Sequence, residues 1–413
     1  MKGSTRGLTV LAGSAAIALI ALASNAQATP ATLTAAPAHN YVDSCNKNVS
    51  KGHLTCFALR RTDISPRLAS RKATPKGYGP SSLQSAYRLP STTAGSGQRV
   101  YIIDAYDDPK AESDLAAYRS QFGEAACTTA NGCFKKLNQN GARSPLPAGD
   151  PGWAGEISLD LDMVSAACPK CGITLVEADD ASDNLFTAVN EAYSLGAKFI
   201  SMSWGGPERG TEASYDAAYF NHTGVVYTAS SGDGAYSAGV SYPSTSPKVV
   251  SVGGTALSKS TNARGWAESV WKTSTGEGTG SGCSGDEAKP SWQSIISRSV
   301  CSKRAESDVS AVSDPATGVA VYQTYGAGGW AVYGGTSAAA PLIASTYALA
   351  GTPGALDSPA ADLYAHTGNL YDVTSGNNGS CSPSLLCTAK AGWDGPTGLG
   401  TPNGIGAFSA FGS

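Results

Sequence analysis

The chain reads as an α/β protein built on a doubly wound, mostly parallel sheet with helices on both faces. Three observations carry that reading. Short runs rich in β-branched residues alternate with helical patterns between residues 100 and 252. Such alternation is what a parallel sheet with crossover helices requires. Polar residues (Asp104, Ser203-Trp204 and Ser230-Ser231-Gly232-Asp233) stand where those runs end. In open α/β sheets, ligands sit outside the carboxyl ends of the strands. Finally, 41% hydrophobic residues can bury a large core, as one large domain or two smaller ones.

In chain order, Gly77-Tyr78-Gly79-Pro80 marks a turn, and a helix is expected from Ser81. Val100–Ile103 reads as the first strand and Pro109–Phe122 as a helix. Trp153–Ala167, Ala181–Leu195 and Ala213–Asn221 follow as helices, with strands expected at Ile173–Val176, Lys198–Met202, Val225–Thr228 and Val249–Val252. The stretch from Glu268 to about Tyr325 reads as loop. A helix runs from Ser337 to Ala350, and the remainder is Gly-rich loop.

The N-terminus reads as an export signal. Lys2 and Arg6 precede an apolar run, Leu8–Ala23, and then Ala26-Gln27-Ala28. Cleavage is expected after Ala28, because the run is short of the roughly 20 residues that span a bilayer. Thr29 to about Lys76 is Ala/Pro-rich and then basic, as in a pro-segment or N-terminal arm. The ten Cys fall in close pairs: Cys45/Cys56, Cys127/Cys133, Cys168/Cys171, Cys283/Cys301 and Cys381/Cys387. Sequential disulfides are the simplest pairing in an exported chain. Cys168-Pro-Lys-Cys171 would also suit redox or metal chemistry, but no second such motif or His cluster accompanies it. A formal charge of −3 without basic runs gives no sign of nucleic acid or an anionic membrane as partner.

Three motifs carry chemistry. In Gly334-Gly-Thr-Ser337-Ala-Ala-Ala-Pro341, glycines allow a tight turn and Ser337 opens an apolar helix. Free N–H groups there favour a developing negative charge. Pro341 is expected to fall within the first turn, where a missing N–H is harmless. A plain N-cap serine would read the same, so the motif alone does not decide. In Glu156-Ile-Ser-Leu-Asp160 two carboxylates share one helix face. A solvated acidic face is the ordinary meaning of such a pair. Here Leu159, Leu161, Met163 and Val164 surround it, and close carboxylates avoid repulsion by sharing a proton. In Ser230-Ser-Gly-Asp233-Gly234 the Asp is either a turn residue or a side chain aimed at an oxyanion.

Together, in this order, the three motifs resemble the sedolisin family of serine-carboxyl peptidases. Ser201-Met-Ser-Trp204-Gly205, Tyr242-Pro-Ser-Thr-Ser-Pro247, Ser251-Val-Gly-Gly254-Thr255 and Asp308-Val-Ser-Ala311 match between them. The resemblance runs from about Gly77 to the C-terminus. It implies a subtilisin-like fold and a serine-type endopeptidase or tripeptidyl-peptidase acting on protein or peptide substrates. By position, Ser337 is the nucleophile, Glu156 its general base, Asp160 the partner of Glu156, and Asp233 a donor to the oxyanion. Asp104 and Trp204 match positions that extend the proton network in some members. The family also implies one structural Ca2+, held by Asp372, Asp394 and the carbonyls of Val373, Lys390 and Gly392, which suits a hard cation. Lys390 departs from the usual glycine and adds a positive charge.

The expected organisation is therefore a signal peptide (1–28), a short pro-segment (29–76) and a peptidase domain (77–413) ending in calcium-binding loops. The 29–76 stretch is too short for the large folded prodomain that such enzymes commonly carry. The expected product is a secreted, extracellular monomer, most active around pH 3–5, where carboxyl groups titrate. A Ser/His/Asp mechanism would need a histidine after the first strand. The four histidines, His39, His53, His222 and His366, do not supply it. No Gly-x-Ser-x-Gly elbow is present either. The alternative from another class is a secreted, catalytically inactive binding protein of the same fold.

Overall fold

The computed structural model describes residues 40–47, 52–65, 75–274, 276–354 and 358–408, with Met1 and Gly3. Apart from those two residues, the expected signal peptide and the first part of the 29–76 segment lie outside the described residues.

An eight-stranded sheet organises the molecule. Its strands run in the order Trp266–Val270, Val250–Lys259, Val226–Ser230, Phe199–Met202, Arg99–Ala105, Gly172–Ala178 and Phe134–Asn138, and Val309–Val312 pairs onto Val250–Lys259. Neighbours are parallel except for the antiparallel edge strand Trp266–Val270. Phe199–Met202 and Val226–Ser230 are buried along their whole length. That explains their continuous apolar character, since a parallel strand covered on both faces has no polar side. Arg99–Ala105 lies where the strand order reverses, with Gly172–Ala178 on one side and Phe199–Met202 on the other. The crevice at this reversal is where such sheets bind ligands.

Two central helices deliver side chains to that crevice. Pro151–Ala167 starts on Asp150, whose Oδ1 accepts the N–H groups of Gly152 and Trp153 at 2.9 Å each. An N-cap followed by proline at the first helical position fixes this start two residues before Trp153. Thr336–Ala350 packs against this helix and against the sheet strands Phe199–Met202 and Val226–Ser230. From Trp153 to Ala167 every residue is buried, as is every residue from Thr336 to Leu349. A helix covered on all sides belongs to the core of a large domain.

A second, antiparallel sheet of four strands lies beyond the first helix. Its order is Tyr41–Asp43, Leu59–Arg61, Gly329–Gly334, Val319–Gln323. Two of these strands, with Val309–Val312, fall in or beside the stretch read from sequence as loop. Val309–Val312 is four residues long and wholly buried, so it shows no alternation to read. Phe134–Asn138 was likewise not expected. The expected helix Ala213–Asn221 is a single α-turn, Glu212–Tyr215, continued as a π-turn, Asp216–Phe220.

The proline in the second helix also departs from expectation. Pro341 is the sixth helical residue, past the first turn. Its missing N–H leaves the Ser337 carbonyl without its usual helical donor. The Ser203 hydroxyl approaches that carbonyl at 3.4 Å. The five disulfides join the five sequence-adjacent cysteine pairs, Cys168–Cys171 included. Among the described residues no helix is long and apolar enough to cross a membrane.

Candidate active site

Ser337 sits at the second position of its helix, after Gly335, whose φ of 92° is open to glycine but strained for other residues. Its Oγ donates to Glu156 Oε2 at 2.8 Å. It also lies 3.1 Å from the Ser203 carbonyl oxygen. One helical turn beyond Glu156, Asp160 Oδ1 accepts a hydrogen bond from the Ser203 hydroxyl at 2.8 Å. The two carboxyl groups influence each other: Glu156 lowers the pKa of Asp160 by a hydrogen bond, and the charge of Asp160 raises that of Glu156. Among the described residues, Glu156 Oε1 and Asp160 Oδ2 meet no N–H or O–H donor. Two close carboxyl groups avoid repulsion by sharing a proton.

Burial is the main force on these groups. Glu156, Asp160 and Asp104 are all fully buried. Burial raises the pKa of Glu156 well above the usual carboxyl range, and the charges of Asp160 and Asp104 add to it, while the Ser337 hydrogen bond opposes. Burial also raises Asp160, against hydrogen bonds from Ser203 and Glu156. Asp104 is pushed up by burial, Asp160 and Glu177, and neither of its oxygens has a hydrogen-bond partner among the described residues. Glu177, raised by burial to about 9, continues the row of carboxyl groups toward the neighbouring strand. Such a row favours protons shared between neighbouring carboxyl groups over separate charges, because an unpaired charge in this interior is expensive.

Asp233 follows the strand Val226–Ser230. Its Oδ1 accepts both the N–H and the hydroxyl of Thr336 at 2.8 Å each. Its Oδ2 is buried and has no hydrogen-bond partner among the described residues. Burial lifts its pKa to about 7, against the pull of Lys47 and Thr336. Below that pH the group holds a proton, and a Cβ placed on Gly335 would lie 2.8 Å from Oδ2.

The structure thus gathers Glu156, Asp160, Asp233 and Ser337 around one point, with Asp104 behind them. Trp204 takes a different part. Its indole N–H donates to the Ile103 carbonyl at 2.7 Å, so its side chain is tied to backbone and not to a carboxyl group. Three participants went unread in the sequence. Ser203 bridges Asp160 and Ser337, Thr336 orients Asp233, and Phe57 sends its N–H to Ser337 Oγ at 3.2 Å. Ser203 and Thr336 stand inside motifs already singled out and were legible there; Phe57 carries no local signal. Histidine is elsewhere: His222 Nδ1 pairs with the Tyr227 hydroxyl, and His366 Nδ1 with the Asp362 carbonyl.

At the C-terminal loops, burial raises the pKa of Asp394 to about 7, and the nearby Asp372 charge adds to it, while hydrogen bonds from Lys390 and Thr397 oppose. Asp394 Oδ2 accepts the Lys390 N–H, and Asp372 Oδ2 accepts the Gly392 N–H. The carbonyls of Val373, Lys390 and Gly392 accept no hydrogen bond among the described residues. Two neighbouring carboxylates with three free carbonyls form an oxygen-only donor set that fits a hard divalent cation. No group of three or more His, Cys, Asp and Glu side chains gathers around a metal position among the described residues.

The profile of the subtilase family (Peptidase S8) matches residues 154–363. That places the chain in the class of subtilisin-like serine peptidases. Kumamolisin from Bacillus sp. (strain MN-32) is 32% identical over 384 residues, covering 85% of this chain and 67% of that protein. Sedolisin from Pseudomonas sp. (strain 101) is 28% identical over 404 residues, covering 88% of this chain and 66% of that protein. The solved structure of Pseudomonas sedolisin, a serine-carboxyl proteinase complexed with two molecules of pseudo-iodotyrostatin, is similar with a TM-score of 0.66 at 28% identity. It covers 80% of this chain and 96% of that one. Within the subtilases the chain belongs to the sedolisin family and is a serine-type peptidase. It spans about two thirds of the length of the two curated relatives.

Proposed function

We propose that the chain is a secreted serine-carboxyl peptidase, an endopeptidase or tripeptidyl-peptidase, that hydrolyses proteins or peptides at acid pH. The observation that carries this reading is the 2.8 Å hydrogen bond from Ser337 Oγ to Glu156 Oε2, with the unpartnered Asp233 Oδ2 across from it. Ser337 Oγ attacks the scissile carbonyl carbon, and its proton passes to Glu156. Asp160 shares a proton with Glu156 and so keeps the base from carrying the whole charge alone. The carbonyl oxygen becomes negative and receives a hydrogen bond from protonated Asp233. Collapse sends the Glu156 proton to the leaving amine, and Glu156 then activates the water that hydrolyses the acyl-serine ester.

Secretion is supported by the N-terminal signal pattern and by five disulfides, which persist in oxidising compartments. The expected partners are protein or peptide substrates, and one Ca2+ at Asp372, Val373, Lys390, Gly392 and Asp394 would brace the C-terminal loops. The expected organisation, with a signal peptide at 1–28 and a segment after it that is removed on activation, belongs to the same reading. The test is release of acid-soluble peptides from denatured casein at about pH 4, near the carboxyl titration range. Activity in the wild type and its absence in folded Ser337→Ala is the expected result; an inactive wild type would favour the binding protein.

A further inference from the structure

We propose that Phe57–Ala58 is a self-cleavage site, presented to Ser337 in the register of a substrate. The inference rests on the roles proposed above for Ser337, Glu156 and Asp233. Thr55–Cys56 pairs antiparallel with Trp204–Gly205, with Thr55 opposite Gly205 and Cys56 opposite Trp204. The Phe57 N–H reaches both the Ser203 carbonyl and Ser337 Oγ, each at 3.2 Å. The Phe57 carbonyl oxygen points the other way, over Gly335. A Cβ placed on Gly335 would fall 1.8 Å from that oxygen and 2.8 Å from Asp233 Oδ2. The carbonyl oxygen and the unpartnered carboxyl oxygen therefore lie on the same side of Gly335, where an oxyanion donor is needed. This also accounts for glycine at 335, since any side chain would collide with the bound segment.

The Phe57 side chain is buried against backbone that offers it room. Cβ atoms built on Gly205 and Gly232 would lie 3.2 Å and 3.7 Å from its ring. These glycines leave a slot for a flat apolar residue just before the presented bond. Beyond the bond, the Ala58 carbonyl accepts the Ser44 N–H at 2.8 Å, and Leu59 and Arg60 pair with Gly334 and Tyr333. The segment is thus gripped on both sides of Phe57–Ala58. The Cys45–Cys56 disulfide closes a ring of separation 11 immediately before Phe57, which restrains the segment in this pose.

The reaction balances with groups already present. Ser337 Oγ bonds to the Phe57 carbonyl carbon and gives its proton to Glu156. The Phe57–Ala58 C–N bond breaks, and that proton goes to the Ala58 nitrogen. Water then hydrolyses the Phe57 ester. The fragment ending at Phe57 keeps both Cys45 and Cys56, so it leaves as one disulfide-closed piece. Ala58 becomes the new N-terminus, and strand Leu59–Arg61 remains in the sheet. The same slot assigns the substrate class: peptides with an aromatic or large apolar residue before the cut bond.

The full chain is purified at neutral pH, shifted to about pH 4, where carboxyl groups protonate, and followed by N-terminal sequencing and intact mass. The expected result is a new N-terminus at Ala58, formed at a rate independent of protein concentration and absent in Ser337→Ala. Phe57→Asp should slow formation about tenfold or more, because a charge enters an apolar slot, whereas Phe57→Leu should stay within about threefold of wild type. The Leu variant guards against misfolding as the cause. A preparation that hydrolyses casein while Phe57–Ala58 stays intact, or a Phe57→Asp chain that matures at Ala58 as fast as wild type, overturns this inference alone. Failure of every preparation to hydrolyse casein overturns the proposed function and this inference with it.

Discussion

Ser337 and Glu156 lie 181 positions apart on two separate buried helices, yet Ser337 Oγ donates to Glu156 Oε2 at 2.8 Å. A carboxyl group thus stands where a Ser/His/Asp enzyme would place imidazole. In the proposed mechanism it takes the serine proton, and its surroundings, chiefly burial, raise its affinity for that proton.

The first prediction concerns that pair. Ser337→Ala and Glu156→Gln should each lower kcat/KM at least about 10³-fold, and the double variant should be little worse than either, because nucleophile and base act as one unit. Kinetics on a peptide substrate, with circular dichroism to check folding, decides it. Full activity in folded Ser337→Ala would remove the nucleophile assignment.

The second prediction concerns stability against pH. Burial raises Asp108, Glu124 and Asp233 to about 7, Glu306 to about 8 and Glu177 to about 9. In the unfolded chain such groups titrate at about 4. Below that, both states hold the protons and the stabilisation is complete. Between about 4 and 9 the folded state keeps protons that the unfolded state has shed, so stability falls as pH rises. The Tm of the Ser337→Ala chain, which cannot digest itself, should drop at least about 5 °C from pH 4 to pH 8. A Tm that rises over that range would contradict these burial effects.

The third prediction concerns calcium. Asp372 and Asp394 repel each other, and a cation that binds only the folded loops would add about 2–3 kcal/mol at a hundredfold excess over Kd. Chelation should lower the Tm by roughly 5 °C, and Asp394→Ala should abolish the response. An unchanged melting curve after verified metal removal would leave the two Asp as turn residues.

How much of this was legible depended on distance along the chain. Glu156 and Asp160 declare themselves because their spacing is local and their neighbours are apolar. Ser337 does so because glycines and an apolar run flank it. Asp150-Pro151 was an equally local signal for the helix start, yet the apolar run drew the expected start to Trp153. Other features had no local signature. Val309–Val312 is too short and too buried to show a period. Residues 41–61 have the composition of a removable segment. Only long-range pairing, Cys56 with Trp204 and Leu59 with Gly334, shows where they sit.

The central claim is carboxyl chemistry at Ser337, and the most direct test is the pH dependence of kcat/KM for wild type and Asp233→Asn on one peptide substrate. Asp233, lifted to about 7 by burial, holds its donor proton below that pH and loses it above. Wild-type activity should therefore be greatest on the acid side and fall as pH rises through 7. Asp233→Asn should lose about 10²-fold or more at acid pH, as when one oxyanion donor is removed. Its remaining activity should lack that descending limb, because Asn does not ionise. A wild-type profile that climbs through pH 7 and peaks above 8 would contradict a protonated Asp233 at the oxyanion, and with it the carboxyl mechanism.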